Sequence, residues 1–347
     1  MADRLGIGII GTGRIANSHM KAMQRHEPSN VIAVMDVVPG KAEQFAEEYG
    51  ITRSYTNLPD LLANKEIDAV IVATPPFAHM QPTLDALASG RHVLCEKPFS
   101  LVPAEAERMV EAAEKSGKFL AVCSARNRLT PGALRGHEMV VNGELGHVYH
   151  GRSSSFRLRG RPGIDMFQDA PWFIDKQRAG GGALIDIGVY QIDTLLWLMG
   201  NPRVKSVLAS SYMGIGTPAT GDVKQSVEDH AVVTCLCDNG ATAIIEIAWS
   251  SNITGTNLLM VLGTEAGIRL NPLTKITAGE DRKPVEIPVI ENEPAPQPGL
   301  GQVTVSFVDD ILAGRQPMTP ARDALEVTRV IAAAYRSAET GQAVNLA

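Results

Sequence analysis

The first third of the chain repeats one pattern: a short, wholly apolar run, a turn, and a stretch whose apolar positions recur every three or four residues. The apolar runs at 5–10, 31–36, 69–74, 93–96 and 119–124 predict strands. The stretches at 15–25, 41–49, 78–89 and 103–116 predict helices, because apolar residues three and four apart share one helix face. Strands that alternate with helices and are apolar on both faces imply a parallel sheet covered on both sides. This part therefore reads as a doubly wound α/β domain.

Beyond about residue 125 the pattern changes. A helix at 131–141 is followed by long runs with strand alternation at 148–158, 204–213, 231–237, 243–249, 258–262 and 267–270. Few helices separate them, so this part reads as an α+β domain with a large, open, mostly antiparallel sheet. One exception is the stretch 183–199, which is apolar around most of its surface and predicts a buried helix. Residues 291–301 hold three prolines and read as a surface loop, and helices at 302–313 and 320–337 close the chain, the second capped by Thr319 with Pro320 at its first position. The expected boundaries are 1–124 for the first domain and 125–347 for the second.

Composition agrees with two cores, since 347 residues at about 150 per domain make roughly two. Hydrophobic residues at 44% and charged residues at 20% exclude a disordered chain. The 32 Lys and Arg against 38 Asp and Glu leave a net charge of −6 with no block of either sign, so no nucleic-acid partner is expected. No apolar run approaches the roughly 20 residues that span a bilayer, and the first four residues lead straight into a strand, so neither membrane association nor a signal peptide is expected. A cytoplasmic protein follows. Cys95, Cys123, Cys235 and Cys237 include no Cys-x-x-Cys pair and are read as buried reduced thiols. The histidines show no metal-ligand spacing, and no metal is expected.

The first turn carries chemistry. Gly11-Thr12-Gly13-Arg14-Ile15-Ala16 follows the first strand and opens the first helix, matching Gly-x-Gly-x-x-Ala. In that motif the first glycine permits the tight turn, the second admits a pyrophosphate to the backbone, and the helix N-terminus stabilises its charge. Asp36 ends the second strand, 20 residues after Ala16, where an acid accepts hydrogen bonds from the adenosine ribose. A 2′-phosphate there would meet like charge, about 4 kcal/mol of repulsion at 4 Å and an effective dielectric of 20. NAD is expected in preference to NADP, although Lys41 in the next helix lies within reach of such a phosphate and leaves NADP open.

Two further groups stand out. Lys97 follows the fourth of these apolar runs, in Glu96-Lys97-Pro98, at the carboxyl end where ligands bind in open parallel sheets. Gly180-Gly181-Gly182 precedes the apolar helix, in which Asp186, Tyr190 and Asp193 fall at i, i+4 and i+7 and so share a face. Polar groups on a buried helix need partners, or a cleft, because an unpaired buried carboxylate is costly.

Together these segments resemble the Gfo/Idh/MocA family of glucose-fructose oxidoreductases, inositol dehydrogenases and related sugar enzymes. The resemblance rests on residues 11–16, on Ala73-Thr74-Pro75-Pro76 with His79, on Glu96-Lys97-Pro98 and on residues 180–193, and it spans nearly the whole length. It implies a Rossmann domain and a second domain whose open sheet serves substrate binding and oligomerisation as a homodimer or homotetramer. Cofactor contacts carry over to Gly11, Gly13, Arg14, Ile15, Asp36, Thr74, Pro75, His79, Glu96 and Lys97. The resemblance also implies that Lys97 and the helix at 183–199 meet at the nicotinamide, with Lys97, Asp186 and Tyr190 catalytic. Arg126, Arg128 and Trp172, with Asp186 and Tyr190, are the substrate contacts expected. Inositol-type members carry His where this chain has Tyr190, which is similar instead to the branches that use tyrosine as acid or base.

The expected reaction is NAD(P)-dependent hydride transfer between nicotinamide and a sugar or polyol. Tyr190 accepts the hydroxyl proton, helped by the Lys97 charge, since a phenol near pKa 10 is a poor base at neutral pH. Lys97 is itself an alternative acceptor. An aldehyde, ketone or dihydrodiol reductase using the same residues, and a non-catalytic dinucleotide sensor, are the competing readings.

Overall fold

The computed structural model describes residues 4–216, 224–290 and 300–346. In the first part, β1 (Leu5–Ile10), β2 (Ser29–Met35), β3 (Arg53–Tyr55), β4 (Ala69–Val72), β5 (His92–Cys95) and β6 (Leu120–Val122) pair in parallel in the order β3-β2-β1-β4-β5-β6. The helices α1 (Arg14–Met23), α2 (Lys41–Tyr49), α3 (Leu58–Ala63), α4 (Met80–Ala88) and α5 (Pro103–Ser116) connect them. All of β1, β4 and all but the first residue of β5 are buried, as strands covered on both faces must be. The strand order reverses between β1 and β4, which opens a crevice at their carboxyl ends. Sequence patterning missed β3 and α3, whose three and six residues are too short to set up a period.

The second part begins with α6 (Pro131–Val141), capped by Thr130, whose hydroxyl accepts from the Ala133 amide. β7 (Val148–Phe156) and the single turn α7 (Lys176–Ala179) lead to α8 (Val189–Leu198). Then follow β8 (Val204–Tyr212), β9 (His230–Cys237), β10 (Thr242–Ala248), β11 (Thr256–Gly263), β12 (Gly267–Arg269), β13 (Thr274–Ala278) and β14 (Pro284–Pro288). With the terminal β15 (Val344–Asn345) they form nine strands in the order β14-β13-β12-β11-β7-β10-β9-β8-β15. Among the described residues of this sheet only β7 and β10 pair in parallel, so the sheet is mixed and mostly antiparallel, as expected. Its inner face rests on α8: there is no room beside Gly151 for a side chain, because Met199 and Leu195 fill it, and the Ser153 hydroxyl bonds Gln191 at 2.5 Å.

The predicted helix at 183–199 differs in its first turn. Residues Leu184–Gly188 form a π-turn, and only from Val189 is the helix α. The residues expected to form the loop at 291–301 lie outside the described ones up to 299, and Leu300 already begins α9 (Leu300–Leu312). α9 lies against α1, where the Thr304 hydroxyl stands 2.7 Å from His19 Nδ1. α10 (Ala321–Thr340) follows. By its contacts the chain forms two compact units, residues 1–126 with 298–328 and residues 127–297 with 329–347. Among the described residues, no helix is long and apolar enough to cross a membrane.

Candidate active site

In the first unit the crevice is built by glycine and an acid. Gly11 adopts φ +90°, and a Cβ there would meet the Ala73 carbonyl at 2.9 Å, so only glycine brings the ends of β1 and β4 this close. Gly13 precedes α1 with no side-chain cap, and open space lies where its Cβ would be. An uncapped helix N-terminus beside open space suits a pyrophosphate. Asp36 is held in place: Oδ2 accepts from the Thr12 amide at 2.9 Å and the Thr12 hydroxyl at 3.0 Å, and Oδ1 accepts from the Val38 amide at 2.9 Å. Oδ1, with a single bond, keeps acceptor capacity for a ribose hydroxyl. These residues fit a bound dinucleotide. Arg14 and Pro75 are exposed and Ile15 and Thr74 half-exposed.

Two expected cofactor contacts lie instead beneath this surface. His79 is 1% exposed, and its ring nitrogens stand 2.9 Å from the Thr74 carbonyl and 3.3 Å from that of Phe99. Burial holds it below the usual histidine range, so a neutral ring braces the turn after β4. Glu96 is 4% exposed and turns inward. Its Oε1 lies 3.0 Å from His19 Nε2, and its Oε2 accepts from the Lys97 amide at 2.9 Å. Lys97 lies two residues past the end of β5 and is half-exposed.

His19, Glu96 and Cys123 bring their polar atoms within 4.8 Å of one another. Sequence spacing gave no sign of this group, because α1, the end of β5 and the end of β6 each contribute one member. The available signal was the buried stripe Ala16, His19, Met20 and Met23 of α1, which puts an imidazole where the pattern asks for an apolar side chain.

The second unit holds the other expected residues. Asp186 sits in the π-turn, where its Oδ2 accepts from Trp249 Nε1 at 2.9 Å. Tyr190 lies one turn on and is 5% exposed. Asp193 serves a different purpose: it accepts from both Nε and Nη2 of Arg128 at 2.8 and 2.7 Å, in a pair almost fully buried. Arg128 also lies 5.5 Å over the Trp197 ring. Arg128, expected as a substrate contact, thus has two of its guanidinium nitrogens engaged with Asp193. Arg126 is half-exposed, and Trp172 is half-exposed and stacked on Phe173 at 3.9 Å.

Three successive glycines prepare this helix, each for its own reason. Gly180 takes φ +83° to end α7, a Cβ on Gly181 would strike the Tyr335 ring, and one on Gly182 would strike the Glu228 backbone. Glu228, missed from sequence, accepts from the amides of Gly182 and Leu184, both at 2.9 Å, and from the Tyr335 hydroxyl at 3.0 Å. It thus satisfies orphan donors at the start of the π-turn. Nothing local announces it, because its partners lie 46, 44 and 107 residues away.

Comparison with known proteins decides the family. Residues 5–124 match the oxidoreductase family with an NAD-binding Rossmann fold, and residues 134–269 match the GFO/IDH/MocA C-terminal domain. The D-glucoside 3-dehydrogenase of Escherichia coli (strain K12) is 31% identical, over 99% of this chain and 97% of its own. The chain belongs to the Gfo/Idh/MocA family. It is thus an NAD-binding oxidoreductase. Another relative of this family, the 1,5-anhydro-D-fructose reductase of Ensifer adhaerens, is 27% identical over 98% of both chains. The aldose-aldose oxidoreductase of Caulobacter crescentus, solved with glycerol, superposes with a TM-score of 0.79 at 28% identity, over 99% of this chain and 100% of that one.

Proposed function

We propose that this Gfo/Idh/MocA oxidoreductase is a cytoplasmic, NAD-preferring dehydrogenase of a sugar or polyol hydroxyl. The observation that carries the reading is the full-length likeness to a protein named D-glucoside 3-dehydrogenase. When bound, NAD supplies the hydride acceptor. Tyr190 takes the proton of the substrate hydroxyl, Lys97 stabilises the developing alkoxide, and Asp186, fixed by Trp249, orients the reacting hydroxyl. Asp36 favours NAD by like-charge repulsion of a 2′-phosphate. Residues 1–124, with which 298–328 pack, act as the dinucleotide domain, and the rest of 125–347 as the domain for substrate and assembly.

Assembly as a homodimer or homotetramer is supported by the outer face of the nine-stranded sheet. There Val232, Ile244, Leu258, Met260 and Leu262 remain half-exposed and Leu208 and Leu236 are more than 50% exposed, an apolar area that a second copy would cover.

The test is NADH formation with a panel of glucosides, free aldoses and polyols, repeated with NADP and with Tyr190→Phe and Asp36→Ser. Turnover of a sugar with NAD, lowered about 100-fold or more in Tyr190→Phe, is expected. Asp36→Ser should narrow the preference for NAD. Binding of NAD without turnover of any sugar or polyol would overturn the reading in favour of a dinucleotide sensor.

A further inference from the structure

Residue 12 ties the turn after β1 to the end of β2. The Gly11 amide donates to the Met35 carbonyl at 2.7 Å, and Thr12 turns both its amide and its hydroxyl onto Oδ2 of Asp36, at 2.9 and 3.0 Å. Oδ1 accepts from the Val38 amide at 2.9 Å, and the Asp36 amide itself donates to the Tyr55 carbonyl at 3.2 Å. Backbone and carboxylate are both held. Two of the three donors on the carboxylate are main-chain amides, which almost any residue at 12 and 38 would supply. The third, the Thr12 hydroxyl, depends on the side chain. Val37 and Val38, which follow the acid, are exposed and bring no charge of their own to a phosphate.

We infer that Thr12 is a positioning residue for cofactor choice: its hydroxyl locks the Asp36 carboxylate in the place where it accepts from a ribose hydroxyl and repels a 2′-phosphate. A 2′-phosphate is admitted only by a carboxylate that swings aside, and swinging aside breaks three hydrogen bonds to a charged acceptor. Removing one of them eases that escape. With Oδ2 filled by two donors, Oδ1 offers the remaining acceptor site, so the acid is already ordered before NAD binds. Thr12 also lies between Gly11 and Gly13, so one residue joins the turn that admits a pyrophosphate to the acid that reads the ribose. This inference rests on the proposed preference for NAD.

The probes are NADH and NADPH, each titrated into the full-length protein and followed by nicotinamide fluorescence, a readout that needs no sugar substrate. Thr12→Val keeps the branched shape and loses the hydroxyl, and Thr12→Ala is a smaller second variant. In both, the ratio of the NADPH to the NADH dissociation constant falls about tenfold, the order of one hydrogen bond to a charged group. Thr12→Ser, which keeps the hydroxyl, retains the parent ratio. A residue that merely packs the turn would weaken both cofactors alike and leave the ratio unmoved. Once Asp36→Ser has removed the carboxylate, adding Thr12→Val no longer moves the ratio. An unchanged ratio in Thr12→Val and Thr12→Ala, or the same fall with and without the carboxylate, overturns the inference. Equal binding of NADPH and NADH by the parent sinks the preference for NAD itself, while a parent preference that survives both substitutions sinks only the role of Thr12.

Discussion

Each of the two units buries one glutamate beside an expected catalytic group, and each glutamate is held by hydrogen-bond donors. Glu96 has the His19 ring and the Lys97 amide, whereas Glu228 has two backbone amides and the Tyr335 hydroxyl. Their acidities diverge. Burial raises Glu228 above the usual carboxylate range despite its amide and hydroxyl bonds, while Glu96 falls to about 2. Against burial, the His19 bond lowers Glu96 most, followed by the His19 charge, the Lys97 amide and the Lys97 charge, whereas only neutral amide and hydroxyl dipoles surround Glu228. Neutral donors fix a backbone, and a cation fixes a charge state. The first unit thus holds an electrostatic pair and the second a structural clamp on the π-turn that carries Asp186.

The clamp is the easier of the two to break, and Gly182→Ala should break it most severely. A Cβ there meets the Glu228 backbone well inside contact distance, and backbone cannot rotate aside as a side-chain tip can. A stability loss of about 3 kcal/mol or more is expected in chemical denaturation, together with lost turnover as the π-turn shifts. A variant as stable and active as the parent would show that the three glycines serve no such packing.

Much of this architecture is legible in the sequence, and what is not follows a physical rule. β1, α2, α5 and α6 coincide with their sequence patterns because each has a clean period and a local stop, such as Gly50 and Gly117 at positive φ or Pro103 and Pro131 in the first turn. The motif Gly11 to Ala16 and the acid at 36 are legible for the same reason, since turn, helix and strand end lie within one βαβ unit. The π-turn at 184–188 leaves no such trace, because it is imposed by Glu228 and Tyr335 from far along the chain. Asp193 shows the same limit: periodicity put it on the face of Asp186 and Tyr190, and Arg128 claims it as a buried partner. Short elements such as β3, β13 and β14 owe their existence to neighbours in the sheet rather than to their own residues.

A smaller effect separates the two acids by pH. Glu96 has a folded value below its ordinary 4.5, so its contribution to stability is complete above about pH 4.5 and is lost as pH falls toward about 2. Glu228 is raised, so its contribution is complete below the ordinary range and declines as pH rises through it. Acid titration of denaturant stability should therefore show a loss of order 3 kcal/mol below pH 4.5 that Glu96→Gln removes. An identical acid limb in that variant would assign the loss to other carboxylates.

The claim that the His19 bond and the charges of His19 and Lys97 set Glu96 apart from Glu228, which has only neutral dipoles, can be read directly. Carbon-13 NMR of the protein labelled at its glutamate side-chain carboxyls, with Glu96→Gln and Glu228→Gln used to assign the two signals, follows each acid as pH is lowered. The account predicts that the Glu96 signal stays that of a carboxylate to the lowest pH at which the protein remains folded, while the Glu228 signal moves to the protonated position above the ordinary carboxylate range. Parallel titration of the two signals, or protonation of Glu96 first, would contradict it.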